Sequence, residues 1–133
     1  PLAVKHYDYS KEHIIKSVEL SLQNLNTDYL DLLLLHRPSP LMDPHEIATA
    51  FEQLKIQGKV KSFGVSNFTP AQMDLLCTEN LIKWNQIECS LTQSEAMFNG
   101  TINHMMQNQI GVMAWSPLGS FFKNDNPQKT RLK

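Results

Sequence analysis

The stretch Asp28-Tyr29-Leu30-Asp31-Leu32-Leu33-Leu34-Leu35-His36-Arg37-Pro38 runs from an almost unbroken apolar segment straight into a histidine, an arginine and a proline. Four consecutive leucines, Leu32 to Leu35, suit a strand buried on both faces, the pattern of a parallel sheet covered by helices. His36 stands where that strand must surface. Taken alone, a histidine in such a place is more often a satisfied structural residue than a catalytic one.

Working outward, the segments around this strand alternate in period. Ser10 offers a helix cap, and Ile14, Ile15, Val18, Leu22 and Leu25 follow as a helical stripe closed by Asn26 and Thr27. The strand is expected over Tyr29 to Leu35. Asp43-Pro44-His45-Glu46 places a cap, a proline at the first helical position and a glutamate three residues after the cap. Ile47, Ala50, Phe51 and Leu54 then share one face, and Gly58 is placed to terminate the helix. A second strand is expected over Val60 to Val65. Thr69-Pro70 repeats the cap-and-proline signal and opens a helix through Met73 and Leu76 to about Glu79. Trp84 to Ser90 is the third strand, Thr101 to Asn108 a weaker helix, and Ile110 to Ser116 the fourth strand. The tail from Phe121 to Lys133 is polar and predicts no element.

A helix-strand unit recurring about every 25 to 30 residues has the size of a βα unit whose crossover makes neighbouring strands parallel. A doubly wound sheet or part of an eightfold barrel would satisfy the alternation. The glycine-rich turn of dinucleotide-binding doubly wound folds is missing, which favours a partial (β/α)8 TIM barrel of about four parallel strands.

In parallel αβ architectures, functional groups gather beyond the carboxyl ends of the strands. Those positions hold His36-Arg37-Pro38, then Ser66-Asn67-Phe68, then Asn85-Gln86 within the third strand, then Trp115-Ser116-Pro117-Leu118-Gly119-Ser120. Ser66-Asn67 could merely cap a turn, and Trp115 could be core packing. Asn85 and Gln86 are harder to explain away, since a buried primary amide must find partners. The opposite strand ends offer Asp28, Lys59, Lys83 and Gln109, which look like solvated loop residues. The polar groups therefore mark one face.

Composition narrows the classes of function. Of 133 residues, 12 are Lys or Arg and 13 are Asp or Glu, with no basic block, so nothing suggests a nucleic-acid partner. No apolar run approaches a membrane span. Cys77 and Cys89 show neither metal spacing nor a disulfide framework, which fits a reduced, cytoplasmic protein. No carboxylate-histidine cluster at the strand ends suggests a metal.

The segments LDLLLLHRP, GKVKSFGVSNFTPAQMDLL, WNQIECS and MAWSPLGS, in this order and spacing, resemble the aldo/keto reductase superfamily, and within it the bacterial YdhF-like oxidoreductases. One small departure is Phe63, where the family signature usually carries an aliphatic residue. The resemblance implies a (β/α)8 barrel that reduces aldehydes and ketones with NADPH, NADH being the lesser alternative. It implies His36 as the catalytic histidine that hydrogen-bonds the carbonyl oxygen. Ser66, Asn67 and Gln86 match residues that hold the nicotinamide carboxamide, and Trp115 matches the aromatic that stacks on the ring. Ser116, Leu118, Gly119 and Ser120 match the loop along the pyrophosphate. No residue here matches the family's aspartate, tyrosine and lysine; Lys5, Tyr7 and Tyr9 are not assigned those roles, nor are Lys129, Arg131 and Lys133 assigned to adenosine binding.

Residues 1–133 are accordingly expected to form a single domain, the central portion of the barrel, with three strands upstream of Pro1 and one downstream of Lys133. The start Pro1-Leu2-Ala3-Val4, without methionine, fits the interior of a longer polypeptide. By itself such a piece is expected to be inactive and to self-associate through exposed sheet edges. The alternative from another class is a non-catalytic, nicotinamide-binding subunit of the same architecture.

Overall fold

A computed structural model describes residues 7–76 and 81–119. Five helices and four strands follow one another along them: α1 (Lys11–Leu25), β1 (Leu30–Leu35), α2 (Pro44–Ile56), β2 (Val60–Ser66), α3 (Pro70–Leu76), β3 (Ile82–Glu88), α4 (Glu95–Phe98), α5 (Thr101–Gln107) and β4 (Gly111–Trp115). The strands form one parallel sheet in the order β1-β2-β3-β4, so consecutive strands are neighbours, as in a (β/α)8 barrel. The short α4 was not expected. The expected end of α3 near Glu79, Cys77, and the tail after Gly119 lie outside the described residues.

The helix boundaries follow from local hydrogen bonding. Ser10 Oγ accepts from His13 N at 3.4 Å, and Asp43 Oδ1 from His45 N at 2.8 Å. Thr69 and Gln72 form a reciprocal capping box, with Thr69 N donating to Gln72 Oε1 at 2.9 Å and Gln72 N to Thr69 Oγ1 at 3.3 Å. Glu46, placed for the same motif at α2, does something else: its Oε2 accepts from Lys11 N at 2.9 Å, tying α2 to the first turn of α1. Three helices close in the same Schellman pattern before their strands, with Asn26, Gly58 and Gln109 in the left-handed region at φ 50°, 70° and 56°.

One face of the sheet packs under the helices. Leu35, Phe63, Val65 and Ile87 belong to the core with Val18, Ile47, Phe51, Leu54, Met73 and Met105, and Phe51 stacks on Phe63 with ring centroids 4.2 Å apart. The alternate residues Leu34, Gly64, Trp84 and Gly111 meet on the other face. There a Cβ on Gly64 would lie 2.6 Å from the Trp84 carbonyl and 2.7 Å from Leu34 Cδ2, and one on Gly111 would lie 2.5 Å from the Trp84 ring, so Gly64 admits the Trp84 backbone and Gly111 its indole. Among the described residues no helix covers this second face. The leucine run expected to be buried on both sides is therefore buried only at Leu35, with Leu32 to Leu34 half-buried.

Two of the residues read as solvated loop positions have structural roles. Lys83 lies inside β3, where the register with β2 shifts by one residue, and Lys59 pairs with Glu19 of α1. Lys61 of β2 is held by Asp31 at 2.9 Å and sits 3.6 Å over the Tyr29 ring.

Candidate functional site

Register brings the sequence-predicted residues to one end of the sheet. Leu35 pairs with Val65, Ser66 with Gln86, Gln86 with Met113 and Glu88 with Trp115. His36 follows the last residue of β1, Ser66 ends β2, Gln86 lies two residues before the end of β3, and Trp115 ends β4.

Four of these residues are joined by hydrogen bonds. Trp115 Nε1 donates to Asn67 Oδ1 at 2.9 Å, Asn67 Nδ2 to Ser66 Oγ at 3.1 Å, and Ser66 Oγ to the Gln86 carbonyl at 3.2 Å. The Asn67 backbone N–H reaches the same carbonyl at 2.8 Å. Ser66 is buried, while Asn67, Gln86 and Trp115 are half-buried. Asn67 and Ser116, the residues directly after β2 and β4, both have positive φ, 59° and 47°. Asparagine tolerates that region and serine much less so; such strain persists where the surroundings over-determine it and gathers at functional sites.

Asn85, equally conspicuous in sequence, faces the other way. It is fully buried among the helices, donating to the Phe68 carbonyl at 3.0 Å and to the Met73 sulfur at 3.3 Å. It supports the Ser66–Phe68 turn from behind and does not reach the site.

His36 is exposed, and the Tyr7 ring meets it edge-on, with centroids 5.9 Å apart. Tyr7 in turn stacks on Tyr9 at 6.4 Å. The Tyr9 hydroxyl clamps the residue after His36: it accepts from Arg37 N at 3.1 Å and donates to the Arg37 carbonyl. Burial raises the Tyr9 pKa above the usual tyrosine value, while the hydrogen bond from the Arg37 N–H works the other way. Neither tyrosine had been given a place at the site; the signal was two aromatics two residues apart, immediately before the Ser10 cap. A cleft of about 380 Å³ along β1 includes Tyr7, Ile14, Leu34 and His36 in its lining but none of the Ser66–Trp115 network.

The loop after β4 turns tightly, Gly119 N donating to the Ser116 carbonyl at 2.7 Å. Ser116 and Leu118 are exposed there, and Ser120 lies outside the described residues. Gly119 packs on the loop after β3, where Ser90 Oγ accepts from Thr92 N at 3.2 Å and Gln93 N at 3.0 Å.

The donor set fits a carboxamide. Asn67 keeps one N–H and one carbonyl lone pair beyond its two bonds within the network, and the Gln86 side-chain amide bonds no other described residue. A planar indole stands beside them. Among the described residues no three His, Cys, Asp or Glu side chains gather as metal ligands, and no helix is long and apolar enough to cross a membrane.

A run of parallel βα units with its polar cluster at the carboxyl strand ends is the architecture of a (β/α)8-barrel enzyme. Residues 2–132 match the model of the aldo/keto reductase family, and the chain belongs to that family. It is 49% identical over 133 residues to the uncharacterized oxidoreductase YcsN of Bacillus subtilis and 48% identical over 132 residues to the oxidoreductase YdhF of Escherichia coli. Each alignment takes in 96% of this chain, and the chain spans 44% of the length of each relative. Among solved structures it is similar to the Bombyx mori aldo-keto reductase in complex with NADP, with a TM-score of 0.76 and 26% identity over 97% of this chain and 48% of that one.

Proposed function

We propose that this chain is the part of an NAD(P)H-dependent carbonyl reductase that grips the nicotinamide and presents one catalytic donor to an aldehyde or ketone. The observation that carries the reading is the continuous hydrogen-bonded cluster Trp115–Asn67–Ser66–Gln86 beside His36, at the carboxyl ends of adjacent strands. The cofactor in the Bombyx mori relative supports it.

The nicotinamide, when bound, supplies hydride. This chain's residues do the rest of what is proposed here. Asn67 and Gln86 bind the carboxamide through the N–H groups and carbonyl oxygens they have to spare. Trp115 offers a flat face to the ring and keeps water from it. Ser116, Leu118 and Gly119 lie along the pyrophosphate, the role that the resemblance also gives to Ser120. His36 hydrogen-bonds the substrate oxygen, where negative charge builds as hydride reaches the carbonyl carbon. The family's proton-donating tyrosine, with its aspartate and lysine, matches no residue of the chain, so these 133 residues alone are expected not to turn over.

The test is NADPH consumption with an aldehyde by the full-length protein. His36→Ala is expected to lower kcat roughly a hundredfold or more while NADPH affinity stays close to wild type. A variant that loses NADPH and keeps its turnover would make His36 structural. NADPH binding with no turnover of any carbonyl would favour a binding-only subunit instead.

A further inference from the structure

We infer that Trp115 is a positioning residue whose indole N–H fixes the direction of the Asn67 side-chain amide. The inference rests on the cofactor reading above and adds to it a role distinct from stacking.

The geometry begins with an asymmetry between donors. An indole N–H can only donate, so the Asn67 atom 2.9 Å from Trp115 Nε1 must be the carbonyl oxygen. That choice turns Nδ2 toward Ser66 Oγ, 3.1 Å away, and leaves the serine proton for the Gln86 carbonyl at 3.2 Å. All three bonds therefore run in one direction. If the amide turned over, Ser66 could adapt by turning its one proton from the Gln86 carbonyl to Asn67, since the Asn67 backbone N–H still satisfies that carbonyl. Trp115 could not, and two N–H groups would face each other. Among the described residues that bond the Asn67 amide, the indole is the one that cannot reverse its role and so enforces the direction.

The root of the Asn67 side chain is equally fixed. Its backbone sits at φ 59° with its N–H bonded to the Gln86 carbonyl at 2.8 Å. The N–H and lone pair that Asn67 has to spare are thus held in set places before any ligand arrives. A carboxamide carries one donor end and one acceptor end, so a partner of fixed direction recognises it without first being ordered. A phenylalanine at 115 would keep a ring face and lose this constraint.

The experiment measures binding by the full-length protein, using NADP+ and 2′,5′-ADP, which lacks the nicotinamide. Trp115→Phe is expected to weaken NADP+ about tenfold, the effect of one lost hydrogen bond, and to leave 2′,5′-ADP unchanged. In an Asn67→Ala background the same substitution should add little, since the N–H then has no acceptor. Losses that simply multiply would mean that Trp115 acts through its ring face alone, and the inference would fall while the cofactor reading stood. A wild-type protein that binds 2′,5′-ADP and not NADP+, or that binds neither NADP+ nor NAD+, would remove both. A further measurement needs neither a ligand nor a substitution at Trp115. With 15N-labelled tryptophan, the Trp115 indole N–H should exchange with solvent at least about tenfold faster in Asn67→Ala than in wild type. Unchanged exchange overturns the inference.

Discussion

Gly119 lies against Thr92: a Cβ built on the glycine would fall inside van der Waals contact of Thr92 Oγ1 and 2.7 Å from Ser90 Oγ. The loops after β3 and β4 are thereby interlocked at the site, and the glycine also sits at φ 53°. Gly119→Ala is expected to destabilise the fold by about 1–3 kcal/mol and to push the two loops apart. Denaturant unfolding would measure the first effect. In the full-length protein the second should appear as weaker NADPH binding with kcat little changed; wild-type stability and affinity together would show that the contact is soft.

Asn85 joins β3 to the turn that carries Asn67. Its Nδ2 is the donor for the buried Phe68 carbonyl, while its Oδ1 has no hydrogen-bond partner among the described residues. Asn85→Ala leaves that carbonyl unpaired and should destabilise by about 2–3 kcal/mol. Because the amide faces the core, cofactor affinity should fall only through loosening of the Ser66–Phe68 turn. Loss of NADPH binding with stability unchanged would place Asn85 at the site itself.

Tyr9 bonds both the N–H and the carbonyl of Arg37, next to His36. Tyr9→Phe removes both bonds, and kcat of the full-length protein is expected to fall several-fold, with NADPH affinity unaffected. The ionisation of Tyr9 gives a second readout. Burial raises its folded pKa above the ordinary value of 10.0, so the folded state holds this proton more tightly than the unfolded state. That contribution to stability is complete below pH 10 and declines as pH rises through the folded value. Comparing pH-dependent unfolding of wild type and Tyr9→Phe checks it: the variant should lack this share of the alkaline loss.

Much of this arrangement can be read from residue types because local chemistry decides it. Ser10, Asp43-Pro44 and Thr69-Pro70 signal helix starts that hydrogen bonds then satisfy, and the strands follow their apolar runs to within two residues at most ends. Where tertiary contact decides, residue type misleads. Gln109 occupies the same left-handed helix-end position as Gly58 but carries no such signature, because the backbone bonds to Met105 and Met106 impose it. Glu46 suits a capping box yet caps the neighbouring helix, its carboxylate accepting from Lys11 N, a contact that depends on how α1 and α2 pack. At the site, spacing and resemblance single out Ser66, Asn67, Gln86 and Trp115. What they could not supply is the bond across 48 residues from Trp115 to Asn67, or the clamp of Tyr9 on Arg37, because both depend on how strands and loops meet in space.

The sheet itself makes the last prediction. Among the described residues β1 and β4 each pair on one side only, and Trp84 at 38% and Val112 at 40% exposure lie on strands next to or at the β4 edge. Unpaired parallel edges with apolar surface beside them are templates for another strand. The purified 133-residue chain, of 15.2 kDa, is therefore expected to self-associate at micromolar concentration, with light scattering returning multiples of that mass. Val112→Lys places a charge at the β4 edge on a side chain that is already exposed. It should shift the population toward monomer without lowering the helix and strand content seen by circular dichroism. A wild-type chain that stays monomeric at about 100 μM, a concentration high enough for edge pairing between even weak partners, would refute the idea that these edges drive association.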